Sequence, residues 1–157
     1  MFPRERTSYA QRVETKIRHL DDTTKTNALR FIDSWSGDDA YRRFGSAGIN
    51  GQQWLTNQLT QHQRPAFVAV SGDRVVGLLD HINASGATHF GIVVDSQSRK
   101  QGIATELLRA LLTSTGIAGP IVADCDADNV AAVALLRKCR FSPAVEDGYQ
   151  ITWRYRS

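Results

Sequence analysis

Apolar and polar positions alternate from Val13 to Arg18, with Val13, Thr15 and Ile17 set against Glu14, Lys16 and Arg18. A period of two predicts a half-buried strand. The period then lengthens. Ala28, Leu29, Ile32 and Trp35 recur at helical spacing behind Asp21 and Asp22, acids that suit a helix N-terminus, so a helix is expected over Thr23 to Trp35, closed by Gly37. A short helix is expected over Asp38 to Phe44. A loop punctuated by Gly45, Gly48 and Gly51 follows, then one or two helical turns within Gln52 to Leu59.

The middle of the chain returns to strands. Ala66 to Val70 and Arg74 to Asp80 flank Ser71-Gly72-Asp73 and predict a hairpin, and Asn83 to Gly86 turns the chain into a third strand, Thr88 to Val94. The three read as an antiparallel meander. Beyond Val94 the order becomes helix, strand, helix. Ile103, Leu107, Leu108, Leu111 and Leu112 share one helical face, Gly116 and Gly119 close it, and Ile121 to Cys125 is a strand parallel to the one ending at Val94, because a helix crosses between them. A helix over Asn129 to Cys139 carries Arg137 and Lys138 in its last turn, where cations suit the dipole. Pro143 to Val145 and Tyr149 to Tyr155 form a closing hairpin around Asp147-Gly148. The expected class is α+β, one domain over residues 1–157: a mixed, mostly antiparallel sheet of six to seven strands with helices on both faces.

Composition narrows the function. A chain of 157 residues that is 41% hydrophobic can bury one core. Apolar runs fall short of a membrane span and no secretory signal is visible, so no membrane partner and a cytoplasmic setting are expected. Cys125 and Cys139 make no disulfide framework. Aspartates flank Cys125, which argues for a small strand residue rather than a nucleophile. His19, His62, His81 and His89 lack metal-ligand spacing, so no metal is expected. The net charge of +3 is spread over scattered arginines, which fits no nucleic-acid stripe but suits a small anionic ligand.

The segment Arg99-Lys100-Gln101-Gly102-Ile103-Ala104 lies between a strand and a helix. A helix N-terminus offers unpaired N–H groups and partial positive charge, and Arg99 and Lys100 add to it. Gly102 allows both a left-handed turn and close approach to backbone, and Ala104 keeps the first turn small. A diphosphate suits such a cradle. A Walker site is not expected, since Gly-Lys-Ser/Thr is missing, and the preceding meander disagrees with a dinucleotide fold.

The stretch VVDSQSRKQGIATELLRALL resembles the acetyl-CoA signature of the GNAT family of N-acetyltransferases, Arg/Gln-x-x-Gly-x-Gly/Ala. NVAAVALLRKCRF, Asn129 to Phe141, is similar to the family's second signature. IRHLDDTTKTNALRFIDSWSGDDAYRRF resembles the opening of members related to bacterial protein-lysine acetyltransferases. The resemblance implies that main-chain amides of Arg99, Lys100, Gln101, Gly102, Ile103, Ala104 and Thr105 hold the diphosphate of coenzyme A. It implies that Ile92, Val93 and Val94 line the pantetheine arm in a gap where the sheet splays, with a backbone N–H near Ile92 polarising the thioester carbonyl. Asn129 would touch the pantetheine or a bound water.

The implied reaction moves acetyl from acetyl-CoA to a primary amine, either a protein lysine or a small molecule. An amine with a pKa near 10.4 arrives charged, so a base must take a proton. His89 is the first candidate, in a strand where related sequences often carry glutamate, and imidazole has an accepting neutral form near pH 7. Asp80 and His81 come second, then Asp124 and Asp126. The acceptor pocket is expected around Trp35, Tyr41 and Phe44 and the Asp80-His81 edge. Two departures stand out: Leu136 occupies the usual position of a tyrosine acid, and Arg140 that of a glycine. The first keeps open a non-catalytic acyl-CoA sensor as the alternative. Tyr149 to Tyr155, read as an exposed edge strand, would offer a homodimer contact.

Overall fold

The computed structural model describes residues 14–35, 53, 66–114, 117 and 119–156. The short helix expected over Asp38 to Phe44, the glycine loop and the turns after it lie outside the described residues, Gln53 excepted.

The described chain runs β1 (Thr15–His19), α1 (Lys25–Asp33), β2 (Phe67–Ser71), β3 (Arg74–Ala84), β4 (Ala87–Val94), α2 (Ile103–Thr113), β5 (Ile121–Asp126), α3 (Val130–Lys138), β6 (Phe141–Asp147) and β7 (Gln150–Tyr155). One seven-stranded sheet results, in the order β1-β2-β3-β4-β5-β7-β6. All neighbours are antiparallel except β4 and β5. The α+β class and the mixed sheet hold.

Each helix starts and packs for a local reason. Ahead of α1, Asp21 Oδ1 accepts from the backbone N–H groups of Thr23 and Thr24, at 2.9 and 3.2 Å, and Thr24 Oγ1 accepts from the Asp21 N–H. This reciprocal pattern satisfies donors that the helix itself cannot. Ala28, Phe31 and Ile32 then pack with Leu20, Val68, Leu78 and Val93 on one sheet face. The opposite face receives α2, whose Ile103, Leu107, Leu108 and Leu111 meet Phe67, Ala69, Leu79, Ala123 and Trp153. Leu107, Leu108 and Leu111 have no exposed surface, and each contributes about 2 kcal/mol by burial. Leu136 and Cys139, from α3 and its C-cap, complete that layer.

Two boundaries differ from the sequence reading. β3 continues to Ala84, and the turn shrinks to Ser85 and Gly86, both at positive φ (53° and 77°). That is the twist a two-residue hairpin prefers. At the C-terminus Tyr149 belongs to the turn, and β7 is flanked by β5 and β6. The exposed edge is therefore β6, not the Tyr149–Tyr155 segment, because β7 crosses back to fill the place beside β5. Pro143 and a bulge before Val145 interrupt the edge strand, as edges that avoid pairing commonly do.

Candidate active site

The parallel pair β4 and β5 touches in two registers, Thr88 with Ile121 and His89 with Val122. Beyond them the strands part, while β4 keeps its pairing with β3 out to Val94 and β5 keeps its pairing with β7 out to Asp126. The junction is tight. The Thr88 N–H donates to Pro120 O at 2.8 Å, and a Cβ on Gly119 would lie 2.0 Å from Gly86 O. Since Thr88 directs its N–H toward β5, strand alternation directs those of Phe90, Ile92 and Val94 the same way, into the opening. The Val94 carbonyl agrees, accepting from Arg99 Nε at 3.3 Å.

The wide end of the opening lies under the loop that enters α2. A bulge opposite Ala69/Val70 leaves Val76 outside the ladder, and its carbonyl accepts from the Asp95 N–H at 2.8 Å, which turns the chain off the sheet. Asp95 O then takes the Ser98 N–H at 2.9 Å. Lys100 and Gly102 adopt φ of 64° and 82°, and Gly102 is the N-cap of α2 with no side chain capping it. A Cβ at Gly102 would meet nothing within 4 Å, so the approach to the first amides is open. On that observation the loop fits a diphosphate: left-handed turns curl successive N–H groups into a concave nest, and the helix dipole adds positive charge.

Of the loop residues, Arg99, Lys100, Gln101 and Gly102 are exposed and Ala104 is half-buried. Ile103 and Thr105 turn their side chains inward, at 4% and 8% exposure, so only their backbone is available to a ligand. Ile92 and Val94 pack toward α2, at the opening. Val93 does not line it: its side chain is buried among α1 residues, and it pairs with Leu78 of β3. Phe90 shares the face of Ile92 and Val94, which period-two counting from Thr88 would have found. Asn129 caps α3, its Oδ1 accepting from the Ala132 N–H at 3.2 Å, so helix geometry occupies that oxygen. Leu136 is buried in the core.

Asp80, His89 and Asp124 share the α1 face of the sheet. Asp80 stands opposite Gly91, and His89 precedes Gly91 by two on the same face. Carrying the β4–β5 register forward sets Asp124 across the opening from Gly91. Gly91 puts no side chain between Asp80 and His89 on that face. Asp80 is buried at 6% exposure and His89 is half-buried, while exposed Asp124 is held by Thr152, whose Oγ1 donates to Asp124 Oδ1 at 2.5 Å. Asp126 lies two residues further along the same face and is exposed.

His81 parts from this group. It pairs with Phe90 and its ring lies 6.4 Å from that of Phe67, so it belongs to the α2 face, because odd and even strand positions point oppositely. Trp35, at the end of α1, stacks edge-on with Phe31 at 5.6 Å and shares the face of Asp80. Tyr41 and Phe44 lie outside the described residues.

A gap between parallel strands, below an uncapped glycine-led helix, is an acyl-CoA geometry, and the family model for the acetyltransferase (GNAT) family matches residues 20–141. The chain belongs to the GNAT family. It is thus an acetyl-CoA-dependent N-acetyltransferase, with acetyl-CoA as co-substrate. Solved GNAT structures share the fold. The GNAT domain of Streptomyces lividans PAT is 14% identical, with a TM-score of 0.75 over 90% of this chain and 89% of that one. The ribosomal-protein-alanine N-acetyltransferase of Brucella melitensis is 20% identical, with a TM-score of 0.70 over 88% and 98%. RimL, a ribosomal alpha-N-protein acetyltransferase in complex with coenzyme A in disulfide linkage to one of its cysteines, is 19% identical, with a TM-score of 0.70 over 92% and 95%. No curated protein matches the chain. Among the described residues of this GNAT protein no helix is long and apolar enough to cross a membrane.

Proposed function

We propose that this GNAT enzyme acetylates a primary amine, a protein lysine or a small-molecule amine, by direct attack on the acetyl-CoA thioester, with His89 as the base. The observation that carries the reading is the parting of β4 from β5 beyond His89: Asp80 and His89 share the α1 face beside that opening, and the glycine-led start of α2 follows the far end of β4. A cationic amine can enter from one side and the thioester from the other.

Bound acetyl-CoA supplies the acyl group and the leaving thiolate. Backbone amides from Arg99 to Thr105 hold its diphosphate, and β4 presents N–H groups of Phe90, Ile92 and Val94 to its pantetheine as an added strand would. The Ile92 N–H would donate to the thioester carbonyl as negative charge develops there. Asp80 and Asp124 attract the ammonium form of the acceptor. His89 takes one proton from it, directly or through water, and frees the lone pair for attack. Since Leu136 offers no acid, the departing thiolate takes its proton from solvent.

Calorimetry with acetyl-CoA, paired with thiol release over a library of peptides and small amines, tests the proposal. Binding with release on at least one amine class supports it, and binding with no release on any amine overturns it in favour of a sensor. His89→Ala should lower kcat by about 100-fold while acetyl-CoA affinity stays within about twofold. Unchanged kcat would remove His89 as the base.

A further inference from the structure

The α1 face of the sheet carries a row of side chains at the level where β4 and β5 still touch. His89 pairs with Val122, Val122 with Arg154, and Arg154 with Ser142. All four project to one side, because their chain neighbours Phe90, Ala123, Trp153 and Phe141 belong to the α2 layer. With strands about 4.8 Å apart, the backbones of His89 and Arg154 lie about 10 Å from each other. Val122, apolar and half-buried, stands between them. Ser142, Arg154 and Arg156 also line a hollow of about 370 Å³ at the β6–β7 pair. Both arginines are exposed, and among the described residues no carboxylate pairs with either. Asp124, one row further along, is engaged by the Thr152 hydroxyl instead. A guanidinium presents a planar fork of donors that matches a carboxylate, so an unpaired one beside a hollow is ready to take that group from a ligand.

We infer that Arg154 determines acceptor specificity, selecting amines that carry a carboxylate at the far end of a short chain. The inference rests on the proposed seat of the amine at His89, since that fixes one end of the row. The nitrogen is held at His89, Val122 supports the chain, and the Arg154 guanidinium takes the carboxylate. Asp80 and Asp124 attract the ammonium end, while Arg154 and Arg156 repel a second cation. An amine with positive charge at both ends therefore binds worse than one with opposite charges. An α-amino group, which shares one carbon with its carboxylate, cannot span the row. The required chemistry has two sources: a free ω-amino acid, or a lysine beside an acidic residue in a polypeptide.

The test measures thiol release from acetyl-CoA with δ-aminovalerate, pentylamine and cadaverine, which differ in charge at one end. Peptides in which a lysine is flanked by glutamate, glutamine or lysine are run in parallel and separate the two sources. The inference expects KM to rise in that order within at least one series, by at least about tenfold from the anionic to the cationic member, while kcat changes by less than about threefold. Arg154→Gln should abolish the order, and Arg154→Glu should reverse it. Arg30→Gln removes the same charge from the exposed side of α1 and should leave the order intact. If neither series sorts by charge, or if Arg154→Gln still sorts it, the inference fails and acetyl transfer at His89 survives. If no member of either series is acetylated, both fall.

Discussion

Gly102 and Arg140 take the same left-handed backbone with opposite chemistry. Gly102 has φ of 82° with open space around its Cα, so Gly102→Ala meets no clash and carries only the backbone cost, about 1–2 kcal/mol. Urea denaturation should show that loss, and calorimetry a weaker acetyl-CoA affinity, because the amides of the cradle turn with the backbone. Arg140 has φ of 69° just past the α3 C-cap, the position glycine favours. Arg140→Gly should raise stability by about 1 kcal/mol without altering kcat, measured by the same denaturation and the thiol-release assay. The sequence singled out both positions, one as a cradle and one as a departure from a family glycine. It did not show that Lys100 would share the conformation, since lysine carries no signal for positive φ. Asp21 adds a pH dependence. Hydrogen bonds from Thr23 foremost, and from Thr24, hold its carboxyl below the usual range. Its contribution is full above the ordinary carboxylate pKa and is lost as pH falls through the lowered one. Thermal melts of Asp21→Asn should accordingly lack part of the wild-type loss of melting temperature on acidification below pH 4.

At the scale of elements, α2 is set by a glycine in a strand. A Cβ on Gly77 would lie 3.0 Å from Leu107 Cδ1 and 3.1 Å from Ile103 Cγ2, so the first turns of α2 rest directly on the β3 backbone. Gly77→Val should cost about 1–3 kcal/mol by overpacking and should weaken acetyl-CoA binding, because it displaces Ile103, the residue that follows the cap. Calorimetry on the folded variant separates the two effects: unchanged affinity would detach the position of α2 from cofactor binding. Helix faces and strand alternation made α1, α2, α3 and the meander readable from the sequence. Hairpin ends were less so. Ser85 at positive φ, and β3 running on through Ile82 and Asn83, depend on cross-strand partners. His81 could not be assigned to a face until the pairing with Phe90 fixed the parity of β3.

For the molecule as a whole, the sheet order decides more than any motif. The loop, the two strands that flank the opening and the crossing helix were legible because they are consecutive in sequence. That Asp80, His89 and Asp124 share one sheet face was not, since it depends on the pairing of three strands. Nor was the internal place of β7, which a hairpin read alone leaves at an edge. The parted strands also predict how the protein answers its cofactor. The amide hydrogens of Phe90, Ile92 and Val94 look into a space that β5 has vacated, while those of neighbouring His89, Gly91 and Val93 face β3. Deuterium uptake resolved to single residues should alternate along β4 without ligand, fast and slow in turn. Saturating acetyl-CoA should erase that alternation, as the pantetheine becomes, for as long as it stays, an eighth strand of the sheet.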